Sequence, residues 1–367
     1  MKVYSFCILS LLFTKLCPAQ HTPELSSFLA THSYPVSLNA SFQDDTLLRS
    51  LMRNKILFVF GEGGSHDLDL NNQMRVYLLR QFSGMRLKYL FIEYGRTTAY
   101  NQNQYLQNPD DAADSLYRAD TAFRNQMRQI RKIYNSGGRF EYKGIDMEWS
   151  RSFYRAVKNI TINVSPDIIA SDNLLRSILI DTNYFHYDNT NNFKNQAQFL
   201  KRYKALQILF SQDTSNLKEL MSPAQYIKLD YFLSNPQTEP SDGNRNPGMA
   251  QNLMTEINPI DTNATYILDI GSAHSLLNRK KTVVGILNNT DALSNKIMTM
   301  NVYCDNCTFK GKLLTDNLIE FMQGDVLEAF RMNTKSDLTI FNLANAPSSF
   351  SYLNKYGDLI LFAKNQH

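Results

Sequence analysis

Short, wholly apolar runs alternate along this chain with stretches of three- and four-residue apolar periodicity. Residues 56–60 (ILFVF) are apolar without a break and stop at Gly61, the pattern of a parallel strand buried on both faces. Leu70, Met74, Tyr77, Leu78 and Phe82 then recur at helical spacing over 69–82. Residues 89–92 (YLFI) predict a second strand ending at Glu93, residues 122–134 an amphipathic helix, and residues 140–145 a third strand ending at Asp146. Residues 266–270 (YILDI) predict a fourth, which stops just before Gly271, Ser272, Ala273 and His274. The runs 283–287, 297–303, 338–343 and 359–362 complete the expected strands. Strands alternating with helices predict an α/β fold, a mainly parallel central sheet flanked by helices.

The middle of the chain breaks this rhythm. From about 150 to 235 the pattern is helical and rich in Asn, Tyr, Phe and Lys, and the polar, turn-rich segment 235–248 follows. We expect a helical insertion over 151–240 that covers a cleft at the strand ends. It would divide the α/β core into a first part, 20–150, and a second, 241–367.

Composition agrees with a globular protein and narrows its partners. Of the residues, 43% are hydrophobic and 20% charged, which excludes a mostly disordered chain. The net charge of +4 is spread along the sequence, with no basic run to hold nucleic acid or an anionic membrane. Residues 1–19 read as an export signal: Lys2, an apolar stretch over 3–13, then small residues at Cys17 and Ala19 before Gln20. The apolar run is too short to span a bilayer, and no later stretch approaches that length, so the expectation is a soluble protein, periplasmic or extracellular. Beyond that signal only Cys304 and Cys307 remain, spaced C-x-x-C. One such pair lacks the second pair of a structural zinc site, and in an oxidising compartment it reads as a small local disulfide.

Candidate chemistry gathers where the strands end. Glu62 and His66, Glu93, Asp146 and His274 follow four successive strands, and open parallel sheets bind ligands at the carboxyl ends of their strands. A histidine there can take a proton from water near neutral pH, a carboxylate can fix its tautomer, and a second histidine or an arginine can stabilise an oxyanion. The arrangement calls for no metal or cofactor. There is no G-x-S-x-G elbow, no H-E-x-x-H and no phosphate loop.

Five short blocks in this order resemble the erythromycin esterase-like family: Gly61-Glu62 with His66; Phe91-Ile92-Glu93; Tyr142-Lys143-Gly144-Ile145-Asp146-Met147; Arg245 with Met249, Ala250 and Asn252; and Ala273-His274. They cover roughly 60 to 275. The resemblance implies an α/β hydrolase-like core, unrelated to serine hydrolases, with a helical insertion over a deep cleft and a metal-independent opening of an ester or lactone. Carried onto this chain, it implies His66 as the general base, oriented by Glu93, with Glu62, Arg245 and His274 lining the site and stabilising the oxyanion. Asp146 would support the constellation from the third strand, and Arg96 and Glu148, which follow matched segments, are within reach of the cleft; Asp146 and Arg96 are taken as substrate-binding. The implied partner is a small-molecule ester. Two features depart from the family's pattern: Glu62 and His66 are four residues apart rather than three, and Gly271 stands where the family often has a histidine.

Two other readings follow from the same residues. Glu62, His66, Glu93 and His274 have ligand chemistry suited to zinc or manganese, which would make a metal-dependent hydrolase. The two departures also fit a binding protein that holds a haem, a metal or a small apolar ligand without turnover.

Overall fold

The apolar runs form the strands of one twisted sheet. The structure, a computed structural model, describes residues 22–38, 46–63, 69–108, 121–180, 193–236, 245–257, 261, 264–277, 279–309, 312–313 and 324–364. Among these residues the sheet has eight strands: β1 (Ser33–Pro35), β2 (Leu57–Glu62), β3 (Leu87–Ile92), β4 (Glu141–Gly144), β5 (Thr265–Gly271), β6 (Ile297–Asp305), β9 (Leu338–Asn342) and β10 (Leu359–Lys364). The short pair β7 (Thr308–Phe309) and β8 (Lys312–Leu313) stands apart from it. The strand order is β1-β9-β10-β6-β2-β5-β3-β4. From β10 to β4 every pairing is parallel, and β9 runs antiparallel to both of its neighbours. The mainly parallel α/β architecture expected from the alternation is the one observed.

Strand alternation splits the core into two layers. Phe58, Phe60, Leu90, Ile92, Met298 and Met300 face one side, against helices Asp69–Ser83 and Thr121–Asn135. Leu57, Val59, Phe91, Leu268 and Ile270 face the other, against helices Arg245–Glu256 and Val283–Asn288. With both faces covered, a continuous apolar run is the stable choice for the central strands. A third cluster gathers Phe330, Phe341, Phe350 and Phe362 around the antiparallel edge.

Between β4 and β5 the chain runs through helices Ser150–Ile160, Pro166–Ser171, Asn173–Leu179, Phe193–Gln212, Thr214–Leu220 and Pro223–Leu233. Their apolar faces meet in a cluster of their own that includes Phe153, Leu174, Tyr203, Leu229 and Phe232. Three of their starts are fixed by side-chain caps: Ser165 accepts from the Ile168 N–H, Asp172 from Leu175, and Ser222 closes a capping box with Gln225.

Two expectations are corrected and one strand is added. Residues 283–287 are helical, not a strand. A five-residue apolar run fits either state, and here Thr282 caps the helix by accepting from the Gly285 N–H at 3.0 Å. The edge strand β1 went unrecognised, being three residues long and ending in a proline suited to a sheet edge. Cys304 and Cys307 are buried thiols rather than a disulfide: both lie in the apolar layer that holds Met298, Met300 and Val302. The expected leader over 1–19 lies outside the described residues, and among those described no helix is long and apolar enough to cross a membrane.

Candidate active site

β2, β5, β3 and β4 are neighbours, so their carboxyl ends share one stretch of the sheet edge. Glu62 ends β2, Glu93 follows β3, Asp146 follows β4, and His274 stands in the short helix Ser272–Ser275 that leaves β5. All four line one cleft of about 630 Å³, walled by helices Asp69–Ser83, Arg96–Gln107 and Thr121–Asn135 and by the first insertion helix, Ser150–Ile160. The strand ends thus place the acids and His274 in a single crevice, as open parallel sheets do. Gly61, just before Glu62, lies tight against β6 and the short helix after β5: a Cβ there would lie 1.8 Å from Asn301 Oδ1 and 2.5 Å from Ser275 Oγ.

Arg245 opens helix Arg245–Glu256 and organises the outer part of the cleft. Its Nε and Nη2 donate to the two oxygens of Asp146 at 3.2 and 2.7 Å, a bidentate pair, and Nη2 also reaches Glu93 Oε1 at 2.7 Å. Burial works against the charge, but the bonds and proximity of Asp146, and then Glu93, outweigh it and raise the Arg245 pKa. Glu93 is held at its other oxygen by the Gly271 N–H, 2.8 Å away. His274 Nδ1 lies 2.7 Å from Asn246 Oδ1, and Asn246 spends its amide N–H on the Lys281 carbonyl at 2.8 Å. Asn246 can therefore only accept from the ring, which puts the proton on Nδ1 and leaves Nε2 as the basic atom. That Nε2 is 3.5 Å from Glu93 Oε1.

A second cluster lies deeper. Arg75, from helix Asp69–Ser83, donates to Glu62 through Nη2, to Asp269 of β5 through Nε, and to Asn72 Oδ1 through Nη1 at 3.0 Å. Burial opposes its charge, yet the two carboxylates prevail and its pKa is raised. Two buried carboxylates around one guanidinium leave an excess negative charge. Desolvation, partly offset by Arg75 and reinforced by Glu62, pushes the Asp269 carboxyl up to about 8. The pair Glu62–Asp269 consequently keeps one proton near neutrality.

Arg96, expected to reach the substrate, is turned away from the cleft. It begins helix Arg96–Gln107, and its guanidinium donates to the Tyr231 carbonyl and Ser234 Oγ, both at 2.9 Å, and to Asn252 Oδ1 at 3.3 Å, while lying over the Tyr231 ring. Glu148 is fully buried beside it and caps the same helix, accepting from the Arg96 N–H at 2.7 Å and the Thr97 N–H at 3.1 Å. Desolvation raises the Glu148 pKa against these bonds. Asn252 completes the knot: its amide donates to the Ile145 carbonyl at 2.9 Å and to Asn235 at 3.0 Å. In the Arg245 block, Arg245 therefore faces the cleft, Met249 and Ala250 pack under the sheet, and Asn252 ties the insertion to the core.

His66, the expected base, lies outside the described residues. Glu62, Glu93, Asp146, Arg245 and His274 are brought together as expected. Sequence reasoning passed over Arg75 and Asp269. Asp269 did carry a signal, as the one acidic residue inside an otherwise apolar strand run, YILDI. It also passed over Trp149, Ser152 and Arg155, by which the first insertion helix and its start reach the cleft.

No family model matches the sequence, and no curated protein does. Solved structures are similar in fold. A Bacillus cereus protein superposes with a TM-score of 0.63 at 12% identity, over 94% of this chain and 97% of that one. A protein described as a succinoglycan biosynthesis protein gives 0.59 at 11% identity, over 94% and 97%. A mutant erythromycin esterase in its open conformation gives 0.58 at 12% identity, over 89% of this chain and 95% of its own. At such identities the likeness is one of fold, and the chain accordingly has the α/β fold, a helix-flanked sheet, seen in an erythromycin esterase.

Proposed function

We propose that the protein is an exported hydrolase of the erythromycin esterase-like family, cleaving an ester or lactone with a histidine-activated water. The observation that carries this reading is the Asn246–His274–Glu93–Arg245 chain, in which a histidine of fixed tautomer stands beside a carboxylate that also holds a guanidinium. In the reaction, Nε2 of His274 takes a proton from water while the water oxygen bonds to the substrate carbonyl carbon. Glu93 stabilises the imidazolium so formed. Arg245 Nη1, which carries no hydrogen bond to the described residues, faces the developing oxyanion. The carbon–oxygen bond to the alcohol then breaks, and the departing alkoxide takes the proton back. His66, by the family resemblance, joins this proton transfer from the segment after Glu62.

The donor set favours this reading over a metal hydrolase. Glu62 and Asp269 face Arg75, and Glu93 and Asp146 face Arg245, so a cation among these acids would sit against a guanidinium. Among the described residues no three His, Cys, Asp or Glu side chains converge on a point that would suit a metal.

The test is hydrolysis of a panel of aryl esters, alkyl esters and macrolide lactones by the wild type, His274→Ala and His66→Ala, with and without chelator. Turnover that survives chelation and is lost in His274→Ala is the expected result. Loss on chelation, restored by metal, would move the reading to the metal enzyme. No turnover by folded protein would move it to a binding protein.

A further inference from the structure

The inner wall of the cleft carries polar groups that the protein itself does not serve. Thr98, Asn101 and Gln102 present one face of helix Arg96–Gln107, and Gln126 stands opposite on helix Thr121–Asn135; all four line the cleft. Asn101, Gln102 and Gln126 are at most 5% exposed. Thr98 Oγ1, Asn101 Oδ1, Gln102 Oε1 and both amide atoms of Gln126 are buried with no hydrogen-bond partner among the described residues. Asn101 is anchored by its other amide atom, which donates to the Ser152 carbonyl at 3.1 Å. Buried amides are normally satisfied, and unserved ones concentrated on one wall mark a place where something else must supply the partners.

We propose that this wall is a subsite for a hydroxyl-rich ring, so that the ester handled in the cleft is borne on a glycosyl or similar polyol unit. The identification of the bond cleaved rests on the hydrolase reading above; the subsite does not. The open groups are mostly acceptors with one amide donor and one hydroxyl, and a hydroxyl serves both kinds because it donates and accepts. An anion is disfavoured because the open groups are mostly acceptor oxygens, with one amide donor among them. An apolar ligand would leave these amides without partners. Phe123, Met127 and Trp149 line the same cleft and offer apolar surface to the C–H face of a ring.

Trp149 is the chain's sole tryptophan, so its fluorescence reports the cleft directly. The experiment titrates methyl glucoside, methyl mannoside and methyl galactoside, with cyclohexanol as a hydroxyl-poor control, by Trp149 fluorescence and ligand-observed NMR. It uses the wild type, Gln126→Leu and Gln102→Leu. Replacing an unserved buried amide by an apolar side chain of similar size should leave the thermal midpoint unchanged or raised, so the variants remain folded. The expected result is saturable binding of at least one glycoside, no comparable binding of cyclohexanol, and roughly tenfold weaker glycoside binding in each variant. Absence of glycoside binding by both methods, or binding that neither variant weakens, overturns the proposal. A parallel comparison of acetylated methyl glycosides with hexyl acetate separates the two readings. Glycoside binding without hydrolysis of any ester keeps the subsite and removes the hydrolase; ester hydrolysis without glycoside binding does the reverse.

Discussion

Asp269→Asn tests the proton held between Glu62 and Asp269. An unfolded aspartate ionises near pH ~3.9, whereas burial beside Glu62 pushes the folded Asp269 carboxyl up to about 8. Between those values the folded chain keeps a proton that the unfolded chain has released. The stability contributed by the protonated carboxyl is therefore complete below about pH 3.9 and drains away as pH rises towards 8. The amide of Asp269→Asn has the shape and neutrality of the protonated acid but cannot titrate. Between about pH 5 and 7 the wild type should lose stability steadily relative to this variant, by roughly 3 kcal/mol in all. With an unfolding entropy of ~2.1 cal/mol/K per residue, that is about 3–4 °C in Tm for a chain of this size. Thermal unfolding of both proteins across that range measures it, and titrating groups outside the Glu62–Asp269 pair cancel in the difference. Because the proton belongs to the pair, Glu62→Gln should flatten the same slope. Parallel Tm curves would refute the shared proton. So would a neutral-pH loss of several kcal/mol in Asp269→Asn, which would mean that Arg75 needs two ionised acids.

Further outcomes follow from other contacts. Asn246→Leu removes the acceptor that fixes the His274 tautomer and should lower kcat with KM little changed, while His274→Ala should cost about 10²–10⁴ in kcat; equal rates for all three proteins would remove His274 from the mechanism. Arg96→Met breaks the links to Tyr231, Ser234 and Asn252 and should cost about 2–3 kcal/mol in urea unfolding, with the KM of the remaining folded enzyme unmoved; a raised KM at full stability would return Arg96 to the substrate. Gly61→Ala forces a methyl to within 1.8 Å of Asn301 Oδ1 and 2.5 Å of Ser275 Oγ, so it should cost about 3 kcal/mol. Adding Asn301→Ala should recover part of that loss, and strictly additive effects would show that the two positions do not meet.

What was legible in the sequence, and what was not, divides along the geometry of strands and helices. A buried parallel strand announces itself as an apolar run, and the residue after it must stand at the sheet edge. Glu62, Glu93, Asp146 and His274 were found that way, and adjacency of β2, β5, β3 and β4 converts four sequence positions into one cleft. A polar residue on a helix has no such fixed address, because its direction depends on how the helix docks. Arg96 comes three residues after Glu93 in the same β3–helix turn, yet the helix it begins turns it towards the insertion. Gln102 and Gln126 look like ordinary solvated positions until two helices close over them. For Arg75 the sequence did hold a usable constraint. Its helix buries Val76 and Leu79 as well as the stripe of Leu70, Met74, Tyr77, Leu78 and Phe82, so apolar contacts surround most of the cylinder. Arg75 stands on the line of Asn71, Leu79 and Phe82 at spacings of four and seven, inside that apolar circumference. A cation enclosed in this way has to meet an anion, and the central strands under the helix supply two, Glu62 at the end of β2 and Asp269 within β5. The excess carboxylate over Arg75, and with it the retained proton, follows from two neighbouring strands each presenting an acid to one helix.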